Sequence, residues 1–167
     1  MTTIRLATAA DVPALRLLVE RAYRGDSARG GWTHEADLLD DERTDEEELA
    51  ATLADPACHI LVAEDEGRLT GTVTITRKSD ARAYLGMLCV DPALQAAGLG
   101  RRLIAAAEAQ AVRDFGAAFM EMTVIDKRPE LIAWYERRGY ARTGETRPFP
   151  MPGEFPFAMV VLERPLA

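Results

Sequence analysis

The chain has little of what metal and thiol chemistry needs: among 167 residues there are two cysteines and two histidines. Cys58 and Cys89 belong to neither a C-x-x-C pair nor a cluster with metal-ligand spacing, and His34 has no partner at such a spacing. Reduced, structural thiols are the expectation, and no metal is implied. Long hydrophobic runs are absent as well. Ile60 to Ala63 and Met159 to Leu162 are far too short to cross a bilayer, and Met1 to Ala10 lacks the apolar core of a signal peptide. The chain therefore reads as cytoplasmic, without membrane contact. An excess of basic charge is missing too: the net charge of −7 argues against a nucleic-acid binder, which needs a basic face for phosphates. No repeat, linker or low-complexity tract interrupts residues 1–167, so one domain is expected, and a homodimer is compatible with it.

What charge there is lies unevenly. Residues 1–80 hold 9 basic and 17 acidic side chains, whereas residues 81–167 hold 11 and 10. Arg101, Arg102, Arg128, Arg137 and Arg138 all fall in the second part, and of these Arg101 is the one expected on phosphate. The acidic first part points to a cationic or polyamine-like acceptor or a basic peptide.

Apolar periodicity supplies the elements. Ile4 to Ala7 reads as a strand, and Asp11 is placed to cap a helix whose Leu15, Leu18, Val19 and Ala22 share one face. Thr44-Asp45-Glu46-Glu47 reads as a capping box with Thr44 at the N-cap. Strands follow at 59–64 and 69–77 around a hairpin with Gly67, then at 83–90, stopped by Asp91-Pro92. A helix from Gly98 to Phe115 buries Leu99, Leu103, Ile104, Ala107 and Ala111, and Gly116 ends it. A strand at 119–124, a helix at 129–138 with Pro in its first turn, and strands near 141–143 and 157–162 complete a mixed α/β order.

The run Gln95-Ala96-Ala97-Gly98-Leu99-Gly100-Arg101 joins an apolar strand to a helix. Glycines there let a ligand approach the backbone, and the helix's first N–H groups present partial positive charge, so an anion is the expected guest. For two glycines alone, a tight strand-to-helix turn that binds nothing is the favoured reading. No Lys-Ser/Thr pair follows for a nucleoside triphosphate, and the third glycine of a dinucleotide fingerprint is missing. A second run, Arg128-Pro129-Glu130-Leu131-Ile132-Ala133-Trp134-Tyr135-Glu136-Arg137-Arg138-Gly139-Tyr140, stands downstream.

Together the two runs resemble signatures of the GNAT superfamily of N-acetyltransferases, and the likeness extends over nearly the whole chain. One departure is Arg128, where many members carry Asn seven residues before the helix Tyr. The resemblance implies a single GNAT-type domain: a central, mostly antiparallel sheet splayed between its fourth and fifth strands and flanked by helices. It also implies acetyl-coenzyme A as co-substrate. Gln95, Ala96, Ala97, Gly98, Leu99, Gly100 and Arg101 would take the pyrophosphate, with Met87, Leu88 and Val90 lining the pantetheine groove. The Leu88 N–H would polarise the thioester carbonyl, and Tyr135 would contact the cofactor and protonate the leaving thiolate.

Three needs follow for acetyl transfer to an amine: a held carbonyl, a neutral amine and a leaving thiolate. A primary amine with a pKa near 10.4 is over ~99.9% protonated at pH 7, so a base is sought. Glu121, on a strand flanking the acyl group, is the first candidate, with Tyr84 and Glu35 behind it; a solvated strand glutamate is the alternative for Glu121. Trp32, Glu35, Tyr84 and Phe149 are candidates for acceptor binding, although an aromatic can equally anchor a loop to the core. The expected acceptor is an amine-bearing small molecule or peptide, attacked directly in a ternary complex. A catalytically silent acyl-CoA-binding regulatory domain is the reading from another class.

Overall fold

The computed structural model describes residues 1–23, 44–79, 81–93, 98–149 and 153–166. Alternation along β2 (Cys58–Asp65) explains the layering. Leu61 and Ala63 point into one apolar cluster while Ile60 and Val62 point into another, so the strand is covered on both faces. The first cluster lies under α3 (Leu99–Phe115) and α4 (Pro129–Glu136), and includes Leu103, Ala107, Met120 and Ile132. The second lies under α1 (Val12–Tyr23) and α2 (Glu46–Ala54), and includes Leu15, Leu18, Val19 and Leu49. The helical spacing of Leu15, Leu18, Val19 and Ala22 thus corresponds to one buried face, as expected.

Strands β1 (Thr2–Leu6), β2, β3 (Arg68–Ser79), β4 (Arg82–Val90), β5 (Phe119–Ile125), β6 (Ala141–Arg147) and β7 (Met159–Pro165) form one sheet in the order β1-β2-β3-β4-β5-β7-β6. Every neighbouring pair is antiparallel except β4 and β5. The mixed class and the opening between the fourth and fifth strands are therefore present. Glu66 and Gly67 at the β2–β3 turn both have positive φ, 52° and 78°, which suits the twist of a two-residue hairpin.

Two helix starts differ from the sequence reading. The N-cap of α2 is Asp45, whose Oδ1 accepts from the Glu48 N–H at 2.7 Å. Thr44 is buried one residue earlier, and its N–H donates to Glu20 Oε1 of α1 at 3.0 Å. Asp11 does not cap α1 either. It closes a 3-10 turn, Ala9–Asp11, where it accepts from the Thr8 N–H and from both terminal nitrogens of Arg5. Arg5 holds the Asp11 carboxyl down at about 2.

Helix α3 sits close over β3 because Gly71 has no side chain. A Cβ at that position would come within 2.8 Å of Leu103 Cδ1, 3.2 Å of the Cys89 carbonyl and 3.3 Å of Leu99 Cδ2. Leu103 is itself fully buried, so it has no room to yield. Gly71→Ala is expected to destabilise the fold by about 1–3 kcal/mol through overpacking, measured as a shift in urea midpoint at constant m.

Candidate active site

Parallel pairing between β4 and β5 lasts for three rungs, Arg82 with Phe119, Ala83 with Met120 and Tyr84 with Glu121. Beyond Tyr84 the strands part: β4 goes on along β3, and β5 goes on along β7. The resulting cleft is walled by Leu85 to Leu88 on one side and Met122 to Ile125 on the other. Leu131 and Tyr135 of α4 close it from one direction, and Phe149 and Met159 from another.

A bulge shapes the β4 wall. Thr72 pairs with Cys89 and Thr74 with Gly86, so Met87 and Leu88 together stand opposite Val73. Met87 adopts φ 53°, a left-handed conformation that a non-glycine residue rarely holds and that here turns the strand. Gly86 beside it leaves space for the Tyr84 ring, whose Cε1 would lie 3.1 Å from a Cβ there. Across the opening the Tyr84 hydroxyl and Thr123 Oγ1 are 2.6 Å apart, a hydrogen bond just above the last shared rung.

Tyr135 is buried at 7% exposure, edge-on to Trp134 and Tyr140 at 5.0 and 6.1 Å. Helix α4 ends at Glu136, two residues before the expected stop at Arg138. The chain then turns at Gly139, where φ is 99° and a Cβ would stand 3.0 Å from Arg164 Nε. That close approach explains the glycine after the helix. The Tyr140 hydroxyl donates to Glu108 Oε2 at 2.8 Å, and Arg164 Nη1 donates to Glu108 Oε1 at 2.6 Å, which fastens α3, the end of α4 and β7 together.

At the start of α3, Gly98 is the N-cap with φ 78°, and Leu99 is buried in the core. Arg101 is exposed and folds back, its Nη2 lying 3.2 Å from where a Gly98 Cβ would be. Below the turn, Asp91 is buried and accepts from Arg21 at 2.9 Å, Arg68 at 3.0 Å and the Ala93 N–H at 3.1 Å, fixing the end of β4 to α1 and β3.

The expected site residues divide accordingly. Met87, Leu88, Tyr84, Tyr135 and Phe149 all line the cleft. Val90 instead shares the buried cluster beneath α3 with Leu99 and Leu103. Glu121 lies on the last joined rung, and its two oxygens accept from Arg147 Nη1 and Nη2 at 3.0 and 3.1 Å. That bidentate pair ties β5 to β6 across β7 and accounts for a buried carboxylate without assigning it a proton to carry. Gln95, Ala96, Ala97, Trp32 and Glu35 lie outside the described residues. Phe149 both lines the cleft and packs against Phe155, tilted at 4.9 Å, and Phe157, edge-on at 5.0 Å, so it is wall and loop anchor together. Sequence reasoning gave no place in the cleft to Thr123 or to Arg128. Arg128 is buried, donates from Nε to Glu130 Oε1 at 2.8 Å, and is the one charged side chain among the described residues that line the cleft.

A model of the GNAT acetyltransferase family matches residues 26–140. The chain belongs to that family. Among curated relatives of the GNAT chain is the S-(2-succino)cysteine N-acetyltransferase of Bacillus subtilis (strain 168), 31% identical over 96 residues; the match covers 53% of this chain and 57% of the relative. The match thus spans little more than half of that protein's length. The fold is shared with the ribosomal-protein-S18-alanine N-acetyltransferase of Escherichia coli at TM-score 0.76 and 20% identity, covering 100% of this chain and 95% of that one. It is also shared with yncA of Salmonella typhimurium, solved with its cofactor acetyl-CoA, at TM-score 0.73 and 22% identity, covering 100% and 95%. No helix among the described residues is long and apolar enough to cross a membrane.

Breaking the Glu121–Arg147 pair leaves a buried carboxylate uncompensated. Because Arg147 is about a third exposed, Arg147→Met is expected to cost about 1–3 kcal/mol, less than for a fully buried pair. A double-mutant cycle with Glu121→Gln, followed by urea unfolding, should recover most of that loss.

Proposed function

We propose that this GNAT protein is an acetyl-CoA-dependent N-acetyltransferase that moves an acetyl group to a primary amine of a small molecule or peptide by direct attack in a ternary complex. The observation that carries this reading is the cleft opened where β4 leaves β5, with the Met87–Leu88 bulge on one wall and Tyr135 on another. A pantetheine arm inserted there would lie alongside β4 as an added strand. The thioester carbonyl would be polarised by the Leu88 N–H at the bulge, and negative charge developing on its oxygen would be stabilised there. The neutral amine nitrogen bonds to the carbonyl carbon and gives up a proton to solvent, the carbon–sulfur bond breaks, and the thiolate takes a proton from the Tyr135 hydroxyl, which solvent then restores. The resident groups at the start of α3, Gly98, Leu99, Gly100 and Arg101, would receive the pyrophosphate.

Two features bear on the acceptor. Among the described residues no carboxylate lines the cleft, and Glu35 lies outside them; on this reading the amine attacks after losing its own proton to solvent. Arg128 on the cleft wall favours a second, narrower reading, an acceptor with a carboxylate near its amine, in place of the polyamine suggested by overall charge. The Bacillus subtilis relative, named for a cysteine derivative, supports that reading.

Thiol release from acetyl-CoA, measured with amino acids and their decarboxylated counterparts, tests both readings. Tyr135→Phe is expected to lower kcat by roughly 10- to 100-fold with cofactor affinity retained, since a thiolate of pKa near 8.5 needs only modest help. Cofactor binding without turnover on any amine would favour the silent-domain reading. With a good acceptor, kcat/KM should climb tenfold per pH unit from pH 6 to about 9; a plateau beginning near pH 6 would reveal a carboxylate base instead.

A further inference from the structure

Most arginines of known placement are neutralised. Arg5, Arg21, Arg68, Arg147 and Arg164 each meet a carboxylate within 4.0 Å. At the seam between α3 and α4 the pattern stops: among the described residues no carboxylate reaches Arg101, Arg137 or Arg138 within that distance. In a chain with net charge −7, three arginines gathered this closely without a carboxylate stand out among the described residues. Its parts are also held in place. The Arg138 N–H donates to the Tyr135 carbonyl at 2.9 Å, and its guanidinium lies over the Trp134 ring at 4.8 Å. Trp134 in turn reaches the start of α3, its Cη2 lying 3.4 Å from where a Gly100 Cβ would be. Arg101 folds over Gly98 on the same turn. The Arg138 Nε is buried and finds no acceptor among the described residues. Burial and the like charges of Arg101 and Arg137 lower the Arg138 pKa, as expected of cations gathered without an anion.

The order of groups along coenzyme A says which anion belongs there. Its pantetheine arm leads to the pyrophosphate, and the pyrophosphate leads to an adenosine that carries the 3′-phosphate. With the arm in the β4–β5 cleft and the pyrophosphate at the start of α3, the adenosine end emerges over the α3–α4 seam. We propose that Arg138, braced on Trp134, binds the 3′-phosphate of coenzyme A, so that the protein discriminates coenzyme A from its 3′-dephospho form. The inference rests on the acetyl-CoA reading above and adds to it a selectivity and the side chain that provides it. A guanidinium already fixed on an aromatic face loses little freedom when it pairs with phosphate, which makes Arg better suited than Lys.

Isothermal titration of the full chain with coenzyme A and with 3′-dephospho-coenzyme A tests it. Wild type is expected to bind coenzyme A at least about tenfold more tightly. Arg138→Gln should erase that preference while leaving affinity for the dephospho form within about twofold, and Arg138→Lys should retain part of it. Equal affinity of wild type for the two ligands overturns the proposal. So does an Arg138→Gln variant that keeps the preference or weakens both ligands alike, the latter placing Arg138 on the pyrophosphate. Melting temperatures of both variants separate lost binding from lost folding. If wild type binds neither ligand, the acetyl-CoA reading itself fails, an outcome distinct from equal binding of both.

Discussion

The structure depends on how briefly β4 and β5 stay together. Three parallel rungs join two halves of the sheet, and the cleft opens where the fourth rung would be. A longer ladder would close the cleft; a shorter one would leave the β5-β7-β6 half attached through α3 and its core alone. The short contact holds because other interactions share the load. Met120 is fully buried between the sheet and α3, Arg82 pairs with Glu163 of β7, and the Tyr84–Thr123 hydrogen bond spans the first divergent step. Past the third rung β4 pairs only with β3 and β5 only with β7, so a ligand lying as an extra strand would enter between them.

The bulge and the turn that follow β4 solve related problems on that strand. At Met87 the backbone takes a left-handed conformation without a glycine, a local cost that the flanking pairs, Gly86 with Thr74 and Cys89 with Thr72, hold in place. At Gly98 the same hand of turn is made by a glycine, where the following helix must begin at once. Between them, Asp91 anchors the strand end to two other elements through Arg21 and Arg68. Asp91 thus fixes the end of the cleft wall to α1 and β3.

Much of this was legible from the sequence where local chemistry fixes the answer. The period of Leu99, Leu103, Ile104, Ala107 and Ala111 gave α3 its buried face, and Gly116 marks its end with φ 61°. Helix starts were less secure, because two good capping residues in succession, Thr44 and Asp45, differ in a feature that no local pattern encodes: Thr44 is buried against α1. The bulge had a signal, an isolated glycine within a strand pattern, but nothing in the spacing says that Met87 and not Gly86 turns left-handed. Glu121 shows the limit most clearly. Alternation put it beside Thr123 on one face, yet its environment comes from Arg147, 26 residues away on a strand that enters the sheet out of sequence order. The cleft's aromatic wall was readable as far as Phe149, whereas its packing on Phe155 and Phe157 depends on where β7 returns.

Charge makes the same point in energetic terms. The sum over residues 1–80 is strongly acidic, and taken as a field it recommends a cationic guest. Yet several of those acids are occupied: Asp11 and Glu64 hold Arg5, and Asp65 holds the N-terminal ammonium. Opposite charges in contact cancel beyond a few ångströms, and at physiological ionic strength a field fades over about 8 Å. What a ligand meets is the remainder near its own path. Over the α3–α4 seam that remainder is positive, made of Arg101, Arg137 and Arg138. A protein acidic in total can therefore gather cationic charge at one seam, because folding sorts most of its charges into pairs and leaves Arg101, Arg137 and Arg138 together where the proposed cofactor would end.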